Sequence, residues 1–133
     1  MEKELIAPCG MNCGICKYHY REKNTCPGCR ELDKKTAITR FRCIVRECEI
    51  LKDRKWKYCS DKCDNYPCKR LKALDKRYSN KYHMSMLENL KLINEKGVDA
   101  LLKKEKSKWK CPKCANIVTC HGGMCLTCSF EKF

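Results

Sequence analysis

The chain has 133 residues, room for one modest domain or two small ones. Leu, Ile, Val and Phe supply only 24 of them, whereas 15 are cysteine and the formal net charge is +14. Such a small oily fraction excludes a fold held by apolar burial alone, the cysteine content excludes a disordered basic chain, and the staples that remain for a unit of this size are disulfides or metal ions.

In chain order, residues 1–68 come first and carry Cys9, Cys13, Cys16, Cys26, Cys29, Cys43, Cys48, Cys59, Cys63 and Cys68. The opening MEKELIAPCG mixes charge into its first residues and holds no apolar run of a secretory leader, and no stretch is long and apolar enough for a membrane span. These features predict a cytoplasmic protein away from membranes, and there disulfides are rare. An odd cysteine count also fits a disulfide framework poorly. Metal fits better. Cys13/Cys16, Cys26/Cys29, Cys111/Cys114 and Cys125/Cys128 are all CxxC pairs, a spacing that turns two thiolates toward one ion. Cys13, Cys16, Cys26 and Cys29 make the simplest first site. Cys43, Cys48, Cys59 and either Cys63 or Cys68 make a second, with interleaved pairings equally allowed.

Residues 69–110 hold no cysteine and read as helices. Leu71, Leu74, Tyr78 and Tyr82 recur at helical spacing, with Pro67 expected in the first turn and Asp64 or Asn65 as cap. Ser85-Met86-Leu87-Glu88 is a capping-box pattern opening a second helix, striped by Met86, Leu87, Leu90 and Ile93 and stopped at Gly97. A shorter third helix is expected to turn Val98, Leu101 and Leu102 inward.

Residues 111–133 place Cys111/Cys114 and Cys125/Cys128 on either side of Ile117-Val118-Thr119, a β-prone run, and a His121-Gly122-Gly123 turn. Two knuckles on facing hairpins around one ion predict a zinc ribbon. Cys120 reads as a small buried hydrophobe and His121 as a hydrogen-bonding turn residue. The expected fold is therefore a small metal-stapled α+β protein. It comprises an N-terminal cysteine-rich zinc-knuckle region (1–68), central basic α-helices (69–110) and a C-terminal zinc-ribbon module (111–133), with about three Zn2+ ions in all.

The ordered motifs APCGMNCGIC, CPGC, Cys43-x4-Cys48, YCSDKCDNYPCKRL, MLENLKLINEKGVDALL and WKCPKC…CHGGMCLTC resemble the cysteine-rich family known as domain of unknown function 3795. The resemblance implies zinc binding, places the ten cysteines from Cys9 to Cys68 in the family's pattern, and implies no activity. The chain departs from many members in carrying Ala115 rather than glycine after CPKC.

Charge concentrates in the middle. Residues 69–110 hold 13 basic and 5 acidic side chains. Three four-thiolate zinc sites would bring the whole chain nearer to about +8, but they leave this region untouched. Lys69, Arg70, Lys72, Lys76, Arg77 and Lys81, then Lys103, Lys104, Lys106, Lys108 and Lys110, are candidate phosphate contacts, with Trp56, Tyr58 and Trp109 as stacking surfaces. A solvated lysine-rich helix face is the plainer alternative. The leading functional reading is a structural zinc-binding adaptor that contacts RNA, the ribosome or another protein through its basic helices. The alternative is an iron–sulfur or thiol-redox electron carrier of an anaerobic-type metabolism, suggested by Cys9-x3-Cys13-x2-Cys16. Zinc catalysis, with His19 or His83 in the ligand set, finds no supporting HExxH, phosphate loop or serine–histidine pattern.

Overall fold

The computed structural model describes residues 2–30, 48, 49, 58–61 and 63–132, so the expectations for Cys43 as a ligand and Trp56 as a stacking surface fall outside the described residues. Three 3-10 turns, Lys3–Leu5, Cys13–Ile15 and Lys17–His19, shape the N-terminal segment. They are followed by helices α1 (Lys69–Tyr82), α2 (Met86–Lys96) and α3 (Val98–Lys108).

The expected α+β class is corrected: the described residues are helical and contain no strand. What pairing exists is four isolated antiparallel bridges, Ile6 with Asn12, Lys110 with Ile117, Val118 with Cys125 and Met124 with Glu131. The zinc ribbon is therefore not formed. Ala115, Gly122, Gly123 and Ser129 all take positive φ, which extended backbone does not allow, and these turns interrupt the chain on both sides of the bridge-forming stretches Ile117-Val118 and Met124-Cys125. Local turn geometry overrides the β-propensity of Ile117-Val118-Thr119.

The helices follow the sequence more closely. α1 starts later than expected: Cys68 is its N-cap, without a side-chain cap bond, and Lys72 N donates to Cys68 O at 3.0 Å. It ends at His83 in the left-handed region, φ 54°. Ser85 caps α2 by accepting from Glu88 N at 3.2 Å. The same hydroxyl donates to Asp75 Oδ1 at 2.6 Å, which also accepts from Leu87 N at 3.1 Å. The one carboxylate of α1 thus tethers the start of α2. Gly97, φ 89°, turns the chain between α2 and α3, and its N–H donates to Ile93 O at 2.8 Å.

One buried cluster draws on the whole described chain. Ile6, Met11 and Ile15 come from the N-terminal turns, Leu71, Met86, Leu90 and Leu101 from the helices, and Trp109 and Val118 from the tail. Leu74, Leu87, Ile93, Val98 and Leu102 pack against it half-buried. Each fully buried Leu or Ile contributes roughly 1.5–3 kcal/mol. Two hydrogen bonds lock the ends together: Asn89 Nδ2 donates to Gly10 O at 2.8 Å, and Cys120 N donates to Ile15 O at 2.8 Å.

Candidate metal centre

Among the described residues, Cys111, Cys114, Cys125 and Cys128 are the one group of three or more metal-ligating side chains whose donor atoms all lie within 4.8 Å of one another. Two knuckles of matching build bring them together. In the first, Ala115 N donates back to Cys111 O at 2.9 Å, with Ala115 at φ 67°. In the second, Ser129 N donates to Cys125 O at 3.0 Å, with Ser129 at φ 63°. Each CxxC pair is closed by a five-residue turn whose last residue is left-handed, and this brings the two sulfurs of a pair to one side.

The sulfurs of Cys111 and Cys128 are 3.5 Å apart, as are those of Cys114 and Cys125. Tetrahedral zinc with Zn–S near 2.3 Å sets sulfur–sulfur edges at about 3.8 Å, so the cluster is close to the required size. The electrostatics favour thiolate at Cys125 and Cys111 but not at Cys128, where the Phe130 amide acts to lower the pKa and burial with the other three thiols pushes it up to about 12. The amides of Cys128 and Thr127 aim at Cys125 and hold its thiol down at about 6, against burial. At Cys111, burial acts to raise the pKa, but the amides of Cys114 and Lys113 and the neighbouring thiols outweigh it and lower it. Amide N–H groups that stabilise the thiolate are what a cation-binding sulfur needs before the ion arrives. Four sulfurs would complete a tetrahedral shell and leave no position open to substrate.

The N-terminal cysteines behave differently. Two ions over residues 9–68 were expected, but no second converging group occurs among the described residues, so the expected three ions reduce to one candidate site. Cys9 and Cys13 are buried in the same cluster as Ile6, Met11 and Ile15. Cys16, Cys26, Cys29, Cys48, Cys59, Cys63 and Cys68 are half-buried, and no described cysteine is in a disulfide. Burial chiefly raises the Cys16 thiol, against the amides of Tyr18 and His19, and its neighbours Cys26 and Cys29 raise it further.

His19 belongs to no converging ligand group among the described residues, and its Nδ1 donates to Cys26 O at 2.7 Å. Cys120 is buried, 3.5 Å from His121 Nδ1, and burial followed by the nearby Cys16 pushes its thiol up to about 12, which leaves it a poor nucleophile. His121 is itself pushed down, first by burial and then by Lys17.

The candidate phosphate contacts Lys69, Arg70, Lys72, Lys76, Arg77 and Lys81 on α1, and Lys103, Lys104 and Lys106 on α3, are exposed, as is Lys110. Lys108 is half-buried and donates to His83 O at 2.5 Å, a structural role. The stacking surfaces need correction. Trp109 is fully buried, its Nε1 donating to Glu105 Oε2 at 2.5 Å, and Tyr58 is buried as well. The exposed aromatic rings among the described residues are Tyr18 and Tyr20, which the sequence announced only by the alternation Lys17-Tyr18-His19-Tyr20-Arg21.

A family model described as Protein of unknown function (DUF3795) matches residues 5–73, just over half of the chain. The chain belongs to this family. The DUF3795 match takes in the N-terminal cysteines and the start of α1, and it ends before Cys111, so the converging four-cysteine group lies beyond the matched segment. No curated protein and no solved structure matches the chain. No helix among the described residues is long and apolar enough to cross a membrane.

Proposed function

We propose that this DUF3795 protein is a structural zinc protein that serves as an adaptor for single-stranded RNA, gripping phosphates through α1 and α3. The observation that carries the zinc half is the convergence of Cys111, Cys114, Cys125 and Cys128, a complete shell of the kind that builds structure rather than catalysis. Zinc bound there supplies a rigid cross-link between the two knuckles.

The RNA half is supported by what the helices do with their acids. Asp75, the only carboxylate of α1, is engaged by Ser85 and Leu87, and Glu105 of α3 is buried on Trp109. Asp99 is the one exposed carboxylate left on these two helices, against nine exposed lysines and arginines, an excess of positive charge that favours phosphate contact by counterion release.

Fluorescence anisotropy with a labelled single-stranded RNA over a salt series tests the reading. Affinity should fall log-linearly with salt, with a slope of about 0.7 per phosphate contacted. Lys72→Glu with Lys76→Glu should weaken binding and flatten that slope. Absence of binding at low salt, or binding indifferent to salt, would refute it.

A further inference from the structure

Of the four large hydrophobic side chains exposed among the described residues, Tyr18, Tyr20 and Leu126 line a single hollow of about 450 Å³ together with Lys17 and Arg21. Tyr18 and Tyr20 are each 42% exposed and Leu126 50%. Both cations lie over the Tyr18 ring in cation–π contact, Lys17 Nζ at 5.4 Å and Arg21 Cζ at 5.0 Å from its centroid. Large apolar groups left at the surface in one place mark a contact site, and the volume is that of a small-molecule pocket.

The rings are held in place. Tyr20 Oη donates to Gly14 O at 2.6 Å. Tyr18 meets His121 edge-on at 5.2 Å, and His121 leans on Tyr82 at 4.7 Å, so the ring is backed by α1. The backbone under it is fixed too, since Tyr18 O accepts from Cys26 N at 2.9 Å. On the far side, Leu126 sits inside the Cys125–Cys128 knuckle, so the hollow is closed by the same turn that carries two of the candidate zinc ligands.

We infer that this hollow is a nucleotide-binding site for single-stranded RNA: a base takes the place of Lys17 and Arg21 over Tyr18, stacking on Tyr18 and Tyr20 against Leu126, and the two displaced cations meet its phosphate. The inference rests on the RNA-binding reading above and adds to it the place where a base, rather than only the backbone, is held. A flat π-surface flanked by cations suits an unpaired base, and such stacking is tolerant of base identity. A duplex, whose bases are already stacked, gains nothing from it.

The test compares a labelled oligoadenylate with an abasic oligomer of equal length, which carries the same phosphates without bases. The wild-type protein should bind oligoadenylate about tenfold or more tightly than the abasic strand. Tyr18→Ala should abolish that preference while leaving the salt slope unchanged, and Tyr18→Phe should retain it. Equal, salt-dependent binding of both strands by the wild-type protein would overturn this site and leave the phosphate reading standing, with no dependence on how any variant folds. A preference undiminished in folded Tyr18→Ala would overturn it as well. Failure of both strands to bind at low salt would remove the RNA reading and this site with it.

Discussion

Gly10 presents its carbonyl to Asn89 Nδ2 at 2.8 Å, across 79 positions of sequence, and so docks the N-terminal turn on α2. The approach is close: a Cβ on Gly10 would lie 2.7 Å from Met86 O, and the residue sits at φ 91°. Gly10→Ala therefore combines the left-handed cost of about 1–2 kcal/mol with an overpacking cost of about 1–3 kcal/mol against rigid helix backbone. Denaturant unfolding should show a loss of at least about 2 kcal/mol. A change within error would mean that the turn can move off α2 freely.

Asn89→Ala leaves the Gly10 carbonyl without this donor in a buried place. The expected loss is about 1–3 kcal/mol in the same measurement. Hydrogen exchange should show the lost protection spreading to residues 6–16 rather than staying within α2.

Glu105 gives a pH dependence whose sign is fixed. Burial pushes its carboxyl up, outweighing the Trp109 bond and the nearby Lys108, Lys104 and Asn89. The folded state therefore holds this proton more tightly than the unfolded chain does. Its contribution is fully present below the unfolded value near 4.3 and is lost as pH rises through the raised folded value. Glu105→Gln, which keeps an acceptor for the indole, should remove this part of the decline as pH rises above about 4. Glu105→Ala should instead cost about 1–3 kcal/mol at every pH by orphaning the buried Trp109 N–H. Thermal midpoints across the pH range distinguish the two.

Ala115 occupies a left-handed turn, φ 67°, that glycine adopts without penalty. Ala115→Gly should stabilise the metal-loaded protein by about 1 kcal/mol, less the backbone entropy glycine adds to the unfolded chain. A destabilised Ala115→Gly protein would show that the turn is set by something other than its own backbone.

Local chemistry made much of the molecule legible. Ser85 as cap, Gly97 as stop and the stripe through Leu71, Leu90 and Leu101 are read from spacing and occur as read, because each depends on residues within a turn or two. Long-range pairings were not legible. Nothing near Asp75 reveals that it will cap a different helix, and Trp109 looked available for stacking until its partner Glu105, one helical turn back, took it inside. The four-cysteine group was visible as spacing alone, whereas the β-prone run between its halves misled, since Ala115 and Ser129 take conformations that sulfur-bearing turns impose and strands forbid. Among the N-terminal cysteines, neither spacing nor burial separates ligand from core, since Cys9 and Cys13 lie buried in the same cluster as Cys111 and Cys125.

Metal content decides the central claim most directly. Protein purified without oxygen is assayed for zinc and iron by plasma mass spectrometry and for visible absorption, beside a Cys111→Ser, Cys125→Ser double variant. The wild-type protein should be colourless, free of iron and loaded with zinc, and the double variant should hold one equivalent less. Zinc content unchanged by the two substitutions, or iron with its visible bands in place of zinc, would contradict the claim.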